Sequence, residues 1–352
     1  MVSAIPSQLA FLIRSLLILY ITSGSLVYAQ KNPPPNGIEA YTKAGAARVL
    51  TWRTEWHDGV RKRDIPLKVH YPEGTGACPV ILYSHGLGGS SEIYGYLGEY
   101  WASHGYVSIH PTHVGSDTKL LLTKGPGELV KAAANPEEIR NRPLDLSYVL
   151  DQLAARQAEK PDPAQSFPLR DRLDLKQVGV AGHSFGAHTT VAIGGAQMTL
   201  GNQKPLADAR VRAIIPMSPP VIGGKNFPRL LQRTYGSMTV PSLHLTGTLD
   251  DSPVGDTKAA DRRVPFDFML KSERQLVIFE GGDHMIFSGR PTLTPRPDDV
   301  QFQAQIAAIS TIFWQAYLRD DKSARDWIND PKEGLVKYLD TSAKVEVLPA
   351  KK

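Results

Sequence analysis

Short apolar runs, separated along the middle of the chain by longer segments, constrain the fold more than any other feature. They fall at residues 79–83, 106–109, 178–181, 213–217, 242–245 and 276–279. Runs such as Val80-Ile81-Leu82 lack polar alternation, the pattern of strands covered on both faces of a parallel sheet. Helical candidates lie between them, over 94–103, 137–158, 186–195 and 301–318. Strands alternating with helices predict an α/β fold, a mostly parallel central sheet with right-handed connections and helices on both faces. Ahead of the runs, Trp52, Thr54 and Trp56 alternate, Asp58-Gly59 supplies a turn, and Ile65, Leu67, Val69 and Tyr71 alternate again. The sheet therefore opens with an antiparallel N-terminal hairpin.

With 352 residues, 41% of them hydrophobic, the chain can bury a sizeable core. Residues 48–318 show no repeat and no break in composition, so they read as one domain. Residues 30–47, with Lys31-Asn32-Pro33-Pro34-Pro35-Asn36-Gly37, read as a flexible leader. In the first 29 residues Arg14 is the only charge, and an apolar stretch ends in Val27-Tyr28-Ala29. That is the pattern of a signal peptide cut after Ala29, and it implies a secreted or periplasmic protein. The stretch is shorter than the ~20 residues of a spanning helix, and an N-terminal membrane anchor is the alternative. Residues 319–352 carry a helical stretch around Leu335 and a polar tail, a C-terminal extension expected to pack on the outside.

The formal charge of +5 is spread along the chain without a basic run, which argues against a nucleic-acid partner. Cys78 is the only cysteine, so an intramolecular disulfide and a cysteine metal cluster are excluded. Nucleotide-binding glycine fingerprints are absent, and no cofactor is expected. His110-Pro111-Thr112-His113 has two histidines three apart, but the proline opposes a helix that would align them, so no metal is expected there. Arg142 and Asp145, one helical turn apart, are expected to pair.

The chemistry-bearing motif is Gly182-His183-Ser184-Phe185-Gly186. It lies between an apolar run and a small-residue helical stretch, the context in which a sharp strand-to-helix turn exposes a nucleophilic serine. Glycines two before and two after the serine remove the Cβ atoms that such a turn would crowd. A serine hydroxyl is a weak nucleophile and needs a histidine to take its proton and a carboxylate to orient that histidine. Both are available just past apolar runs: Gly247-Thr248-Leu249-Asp250-Asp251, and Gly281-Gly282-Asp283-His284. Loops at the carboxyl ends of parallel strands converge on one sheet edge. His284 is taken as the base and Asp250 as the acid, by its Gly-x-x-Asp spacing; Asp251 stays the alternative, with a loop-capping role otherwise. Backbone amides of Phe185 and Leu87, the latter in Ser84-His85-Gly86-Leu87-Gly88-Gly89, are the expected oxyanion donors. His85, Tyr94, His113 and His183 are the candidate lining of a substrate pocket. The segments 118–136 and 219–241, which would set substrate specificity, read as polar, glycine-rich loops without an obvious apolar lid.

Together Ser84-His85-Gly86-Leu87-Gly88 and Gly182-His183-Ser184-Phe185-Gly186 resemble the platelet-activating-factor acetylhydrolase and dienelactone-hydrolase-like branch of the α/β-hydrolases. They are similar, more distantly, to cutinases and polyester hydrolases. The resemblance covers roughly residues 48–318. It implies the α/β-hydrolase fold and Ser-Asp-His hydrolysis of short or accessible esters, a small-molecule or lipid-like substrate, with contact to a membrane or polymer surface left open. Dienelactone hydrolases use a cysteine where this chain has Ser184, which argues against their substrate. A serine peptidase or amide hydrolase, and a non-catalytic binding protein on the same fold, are the rival readings.

Overall fold

A computed structural model describes residues 38–160, 167–198, 206–221, 227–289 and 297–351. The expected signal peptide and most of the leader lie outside the described residues. Among the described residues no helix is long and apolar enough to cross a membrane.

The alternating segments 52–56 and 65–71 become strands β1 (Val49–Asp58) and β2 (Arg63–Pro72), paired antiparallel with Trp52 opposite Val69 and Trp56 opposite Ile65. The chain continues through β3 (Cys78–Ser84), α1 (Gly95–Ser103) and β4 (Val107–Pro111). Three helices follow, α2 (Thr118–Lys124), α3 (Pro126–Ala134) and α4 (Pro136–Ala158). Then come β5 (Leu173–His183), α5 (Phe185–Ile193), β6 (Val211–Met217), α6 (Pro228–Tyr235) and β7 (Ser242–Leu249). The chain closes with α7 (Val264–Phe268), β8 (Arg274–Asp283), α8 (Pro297–Leu318), α9 (Lys322–Ile328), α10 (Gly334–Leu339) and β9 (Ala343–Leu348).

The nine strands of the described residues form one sheet in the order β1-β2-β4-β3-β5-β6-β7-β8-β9. From β4 to β8 neighbours run parallel; β1, β2 and β9 are joined antiparallel. Side chains of the apolar runs divide between two cores, as period-two geometry requires. Ile81 and Tyr83 face α1 and α8, packing with Trp101 and Trp314, while Val80 and Leu82 face Leu146, Val149 and Leu153 of α4. Trp101 meets Trp314 edge-on, with ring centroids 5.9 Å apart, a geometry that adds about 0.5–1.5 kcal/mol to the area buried.

Two expectations change. Residues 118–134, expected as a polar loop, are helical but for Gly125. Their polar, proline and glycine residues act as caps: Asp117 accepts from the Leu120 amide, Gly125 breaks the chain at φ 83°, Pro126 and Pro136 open the next two helices, and Asn135 accepts from the Glu137 amide. The segment after 318 does more than pack outside, because β9 extends the sheet beside β8, with Val345 opposite Val277.

Candidate active site

The carboxyl ends of β5, β7 and β8 deliver Ser184, Asp250 and His284 to one edge of the sheet. Ser184 sits in a left-handed backbone conformation, φ 56° and ψ −118°, between the last residue of β5 and the first of α5. For a residue with a Cβ this conformation is strained, and the turn is locked by its surroundings. The Ser184 amide donates to the Met217 carbonyl at the end of β6, 2.9 Å away. A Cβ on Gly186 would lie 1.9 Å from the Ser84 carbonyl oxygen, and one on Gly182 would lie 2.5 Å from the Gly186 oxygen. The two glycines thus let β5, α5 and the end of β3 meet backbone to backbone.

Ser184 is partly exposed, and its hydroxyl donates to His284 Nε2 at 3.0 Å. On the other side of the ring, Nδ1 lies 2.7 Å from Asp250 Oδ1. A carboxylate there can only accept, so the ring proton sits on Nδ1 and Nε2 is free to take a proton from serine. Asp250 has no solvent exposure, and its charge is compensated from within the fold. The hydroxyls of Ser218 and Thr246 each donate to it at 2.7 Å, one to each oxygen, and Arg262 Nε lies 3.5 Å from Oδ1. Ser218 Oγ also lies 2.8 Å from His284 Nδ1. Arg262 braces the same corner by donating to the carbonyls of Asp250 and Ser218. Asp251 points elsewhere: it is exposed and accepts from the Ala259 amide and Lys258 Nζ. Asp283 accepts from the Met285 amide and shapes the turn before His284.

Ser218, Thr246 and Arg262 are additions to the residues read from sequence. Ser218 did carry a signal, since it immediately follows the apolar run of β6 and so stands at the same sheet edge. Arg262 carried none.

Leu87 is partly exposed and Phe185 is the first residue of α5, whose opening amides have no carbonyl partner within the helix. Among the described residues neither amide is engaged by a backbone carbonyl. The four side chains expected to line a pocket show almost no exposed surface. Tyr94, His85, His183 and His113 are all buried, at 4% exposure or less. The Tyr94 hydroxyl accepts from the Gly86 amide and lies 2.9 Å from His183 Nδ1; the His183 ring packs against His284 at a tilt of 44°, with 4.6 Å between ring centroids. His85 Nε2 accepts from the His113 amide. His113 in turn lies between Ser84 Oγ and Asp145 Oδ2, 3.0 Å from each. These residues are packing behind the site because strand-end side chains point into the layers above and below the sheet. Burial, and then the nearby Arg142 charge, pull the His113 pKa down to about 4. The His110 imidazole is also buried, 2.9 Å from Ser108 Oγ and stacked on Tyr83. The expected Arg142–Asp145 pair is replaced, with Asp145 taken by Arg61, Arg63 and His113.

Two surface cavities, of about 550 and 690 Å³, include none of Ser184, Asp250 and His284. One lies beyond the far end of α5, at Ile193 and Gly194; the other lies between Ile38 and Trp327. The hydrogen-bonded row of Ser184, His284 and Asp250 lies apart from both cavities.

Known proteins agree with this architecture. The chlorophyllase family model matches residues 38–141, from ahead of the first hairpin into the first turns of α4. Cutinase est1 of Thermobifida alba is 26% identical over 182 residues, 52% of this chain and 46% of its own length. Cutinase 1 of Thermobifida cellulosilytica is likewise 26% identical, covering 52% of each chain. The platelet-activating factor acetylhydrolase of Cavia porcellus is 24% identical over 305 residues, 77% of this chain and 64% of its own. The chain spans about half the length of the cutinases it matches. Distant similarity to proteins of these kinds is consistent with a mostly parallel sheet entered by an antiparallel hairpin. The chain has the α/β-hydrolase fold. As in other α/β folds, the candidate site stands outside the carboxyl ends of the strands.

Proposed function

We propose that this chain is a serine ester hydrolase that works through an acyl-enzyme on Ser184, acting on short-chain or accessible carboxylic esters. The observation that carries the reading is the hydrogen-bonded row from the Ser184 hydroxyl through His284 to the buried Asp250 carboxylate. Similarity to proteins named as cutinases and as an acetylhydrolase supports the ester as the bond attacked.

In this mechanism His284 Nε2 takes the Ser184 proton as Oγ attacks the ester carbonyl carbon, and Asp250 stabilises the resulting imidazolium. The carbonyl oxygen becomes an oxyanion held by the Leu87 and Phe185 amides, aided by the positive end of α5. Collapse breaks the bond to the alcohol, which leaves with the proton held by His284. Water, activated by the same imidazole, then attacks the acyl-enzyme, releasing the acid and restoring Ser184.

Hydrolysis of p-nitrophenyl acetate and butyrate tests the reading. Ser184→Ala should lower kcat by at least about 10⁴-fold with an unchanged circular dichroism spectrum. Retained hydrolysis in that variant would remove Ser184 from the reaction. A parallel panel of aminoacyl amides separates an esterase from an amide hydrolase by which bond is cut faster. Export of the protein belongs to the same proposal, and sequencing the mature N-terminus for cleavage after Ala29 checks it.

A further inference from the structure

Arg142 is one of the largest side chains with no solvent exposure, and the acyl-transfer steps make no use of it. A buried guanidinium is costly unless its donors are matched. Burial lowers its pKa to about 9, which leaves it a cation at neutral pH. Its contacts show what the charge holds. Nη2 donates to the His85 carbonyl and to Ser84 Oγ, Nη1 donates to Ser116 Oγ at 2.8 Å, and Nε donates to Thr189 Oγ1 at 3.1 Å. Cζ stands 4.4 Å from the centroid of the Phe185 ring, within the range of a cation–π contact.

These contacts fall on both segments that carry the candidate oxyanion donors. His85 is two residues before Leu87, and Phe185 is itself the other donor. Thr189 lies one turn into α5 and donates in turn to the Phe185 carbonyl. The same corner is stiffened from behind by Ser84, His113 and Asp145, a buried row with the spacing of Ser184, His284 and Asp250. All three of its members are closed to solvent, so the row supports the loop and has no access to a substrate.

We propose that Arg142 is a positioning residue of the oxyanion hole: one rigid guanidinium clamps the His85 carbonyl and the Phe185 ring and so sets the spacing of the Leu87 and Phe185 amides. This rests on the ester-hydrolase reading of Ser184. A planar fork with fixed donors can do this, whereas a lysine, with a single charged nitrogen on a flexible stem, cannot span the same partners.

The test compares wild type with Arg142→Met, Arg142→Lys and Ser116→Ala. It measures kcat and KM on p-nitrophenyl butyrate and the inhibition constant of an alkyl trifluoromethyl ketone, which forms a tetrahedral adduct on serine. Misplaced oxyanion donors weaken the transition state and its mimic but not ground-state binding. Arg142→Met should therefore lose about 10²–10³-fold in kcat, weaken the ketone by a similar factor, and leave KM within about threefold. Arg142→Lys should fail to restore the rate, and Ser116→Ala should show a smaller loss with the same split. Should the methionine variant not fold, the lysine and Ser116 variants, which keep the buried cation, decide the matter. Wild-type kcat and ketone affinity in those two overturn the proposal, as does a change confined to KM. If wild type hydrolyses no ester, the reading of Ser184 fails instead, and the wild-type arm alone reveals it.

Discussion

At the residue scale, two adjacent aspartates stand in opposite surroundings. Asp250 is buried with three polar hydrogens aimed at it, from Ser218, Thr246 and His284, while Asp251 is exposed and ties down the following loop. Asp250→Asn should cost about 10⁴-fold in kcat, because an amide can present a donor to Nδ1 and turn the ring to the wrong tautomer. Asp251→Asn should leave kcat within about threefold, since an exposed ion pair of this kind is worth little. Steady-state kinetics on one ester checks both. Much at this scale was legible: Ser184, Asp250 and His284 each stand just beyond an apolar run, and strand ends gather reactive groups. Burial of the histidines was not legible, because a sequence shows that His85, His113 and His183 follow strands but not which layer each ring enters. The partners of Arg142 were hidden for a similar reason. Its spacing from Asp145 fits an intrahelical pair, yet two other arginines and a histidine reach that carboxylate from elsewhere in the chain.

At the element scale, the elbow between β5 and α5 depends on a close approach of backbones. Gly186→Ala would drive a Cβ to 1.9 Å from the Ser84 oxygen, a contact that only movement of β3 or α5 can relieve. Overpacking of this sort costs about 1–3 kcal/mol or more, and the shift carries Ser184 and Phe185 with it, so the variant should lose both thermal stability and activity. Gly127→Ala is the counterpart. It lies in the first turn of α3 with nothing within 4 Å of the added methyl, and should raise stability by up to about 1 kcal/mol. Melting temperatures and activity measured side by side test the pair. The parallel strands were readable because burial on both faces leaves an unbroken apolar run. Helices α2 and α3 were not, because caps and short apolar stretches look like loop; their sides pack locally, Leu121 and Leu129 lying against Gly88. Strand β9 did leave a trace, Lys344-Val345-Glu346-Val347, whose alternation matches a strand on a sheet edge.

At the scale of the whole molecule, the fold encloses imidazoles that must stay neutral. Burial lowers the pKa of His70 and His113 to about 4 and of His188 and His244 to about 3. Above the ordinary value of about 6.5 these rings are neutral in both folded and unfolded chains, and their contribution is intact. As pH falls below 6.5 the unfolded chain takes up protons that the fold refuses, down to pH 3–4. Stability should decline over that window, each ring adding a slope of up to about 1.4 kcal/mol per pH unit. Urea midpoints from pH 8 to pH 4.5 measure this, and a flat profile would contradict it. His188, with neither ring nitrogen partnered among the described residues, isolates one ring's share: His188→Phe should flatten the slope by about one proton. The central claim, that one serine in this molecule is activated for acyl transfer, is tested most directly by mass spectrometry of the folded protein after reaction with a fluorophosphonate. Activation by His284 and Asp250 requires a single adduct, mapped to Ser184 and absent from Ser184→Ala and His284→Ala. A folded wild-type protein that takes no adduct, or carries it on another residue, would contradict it.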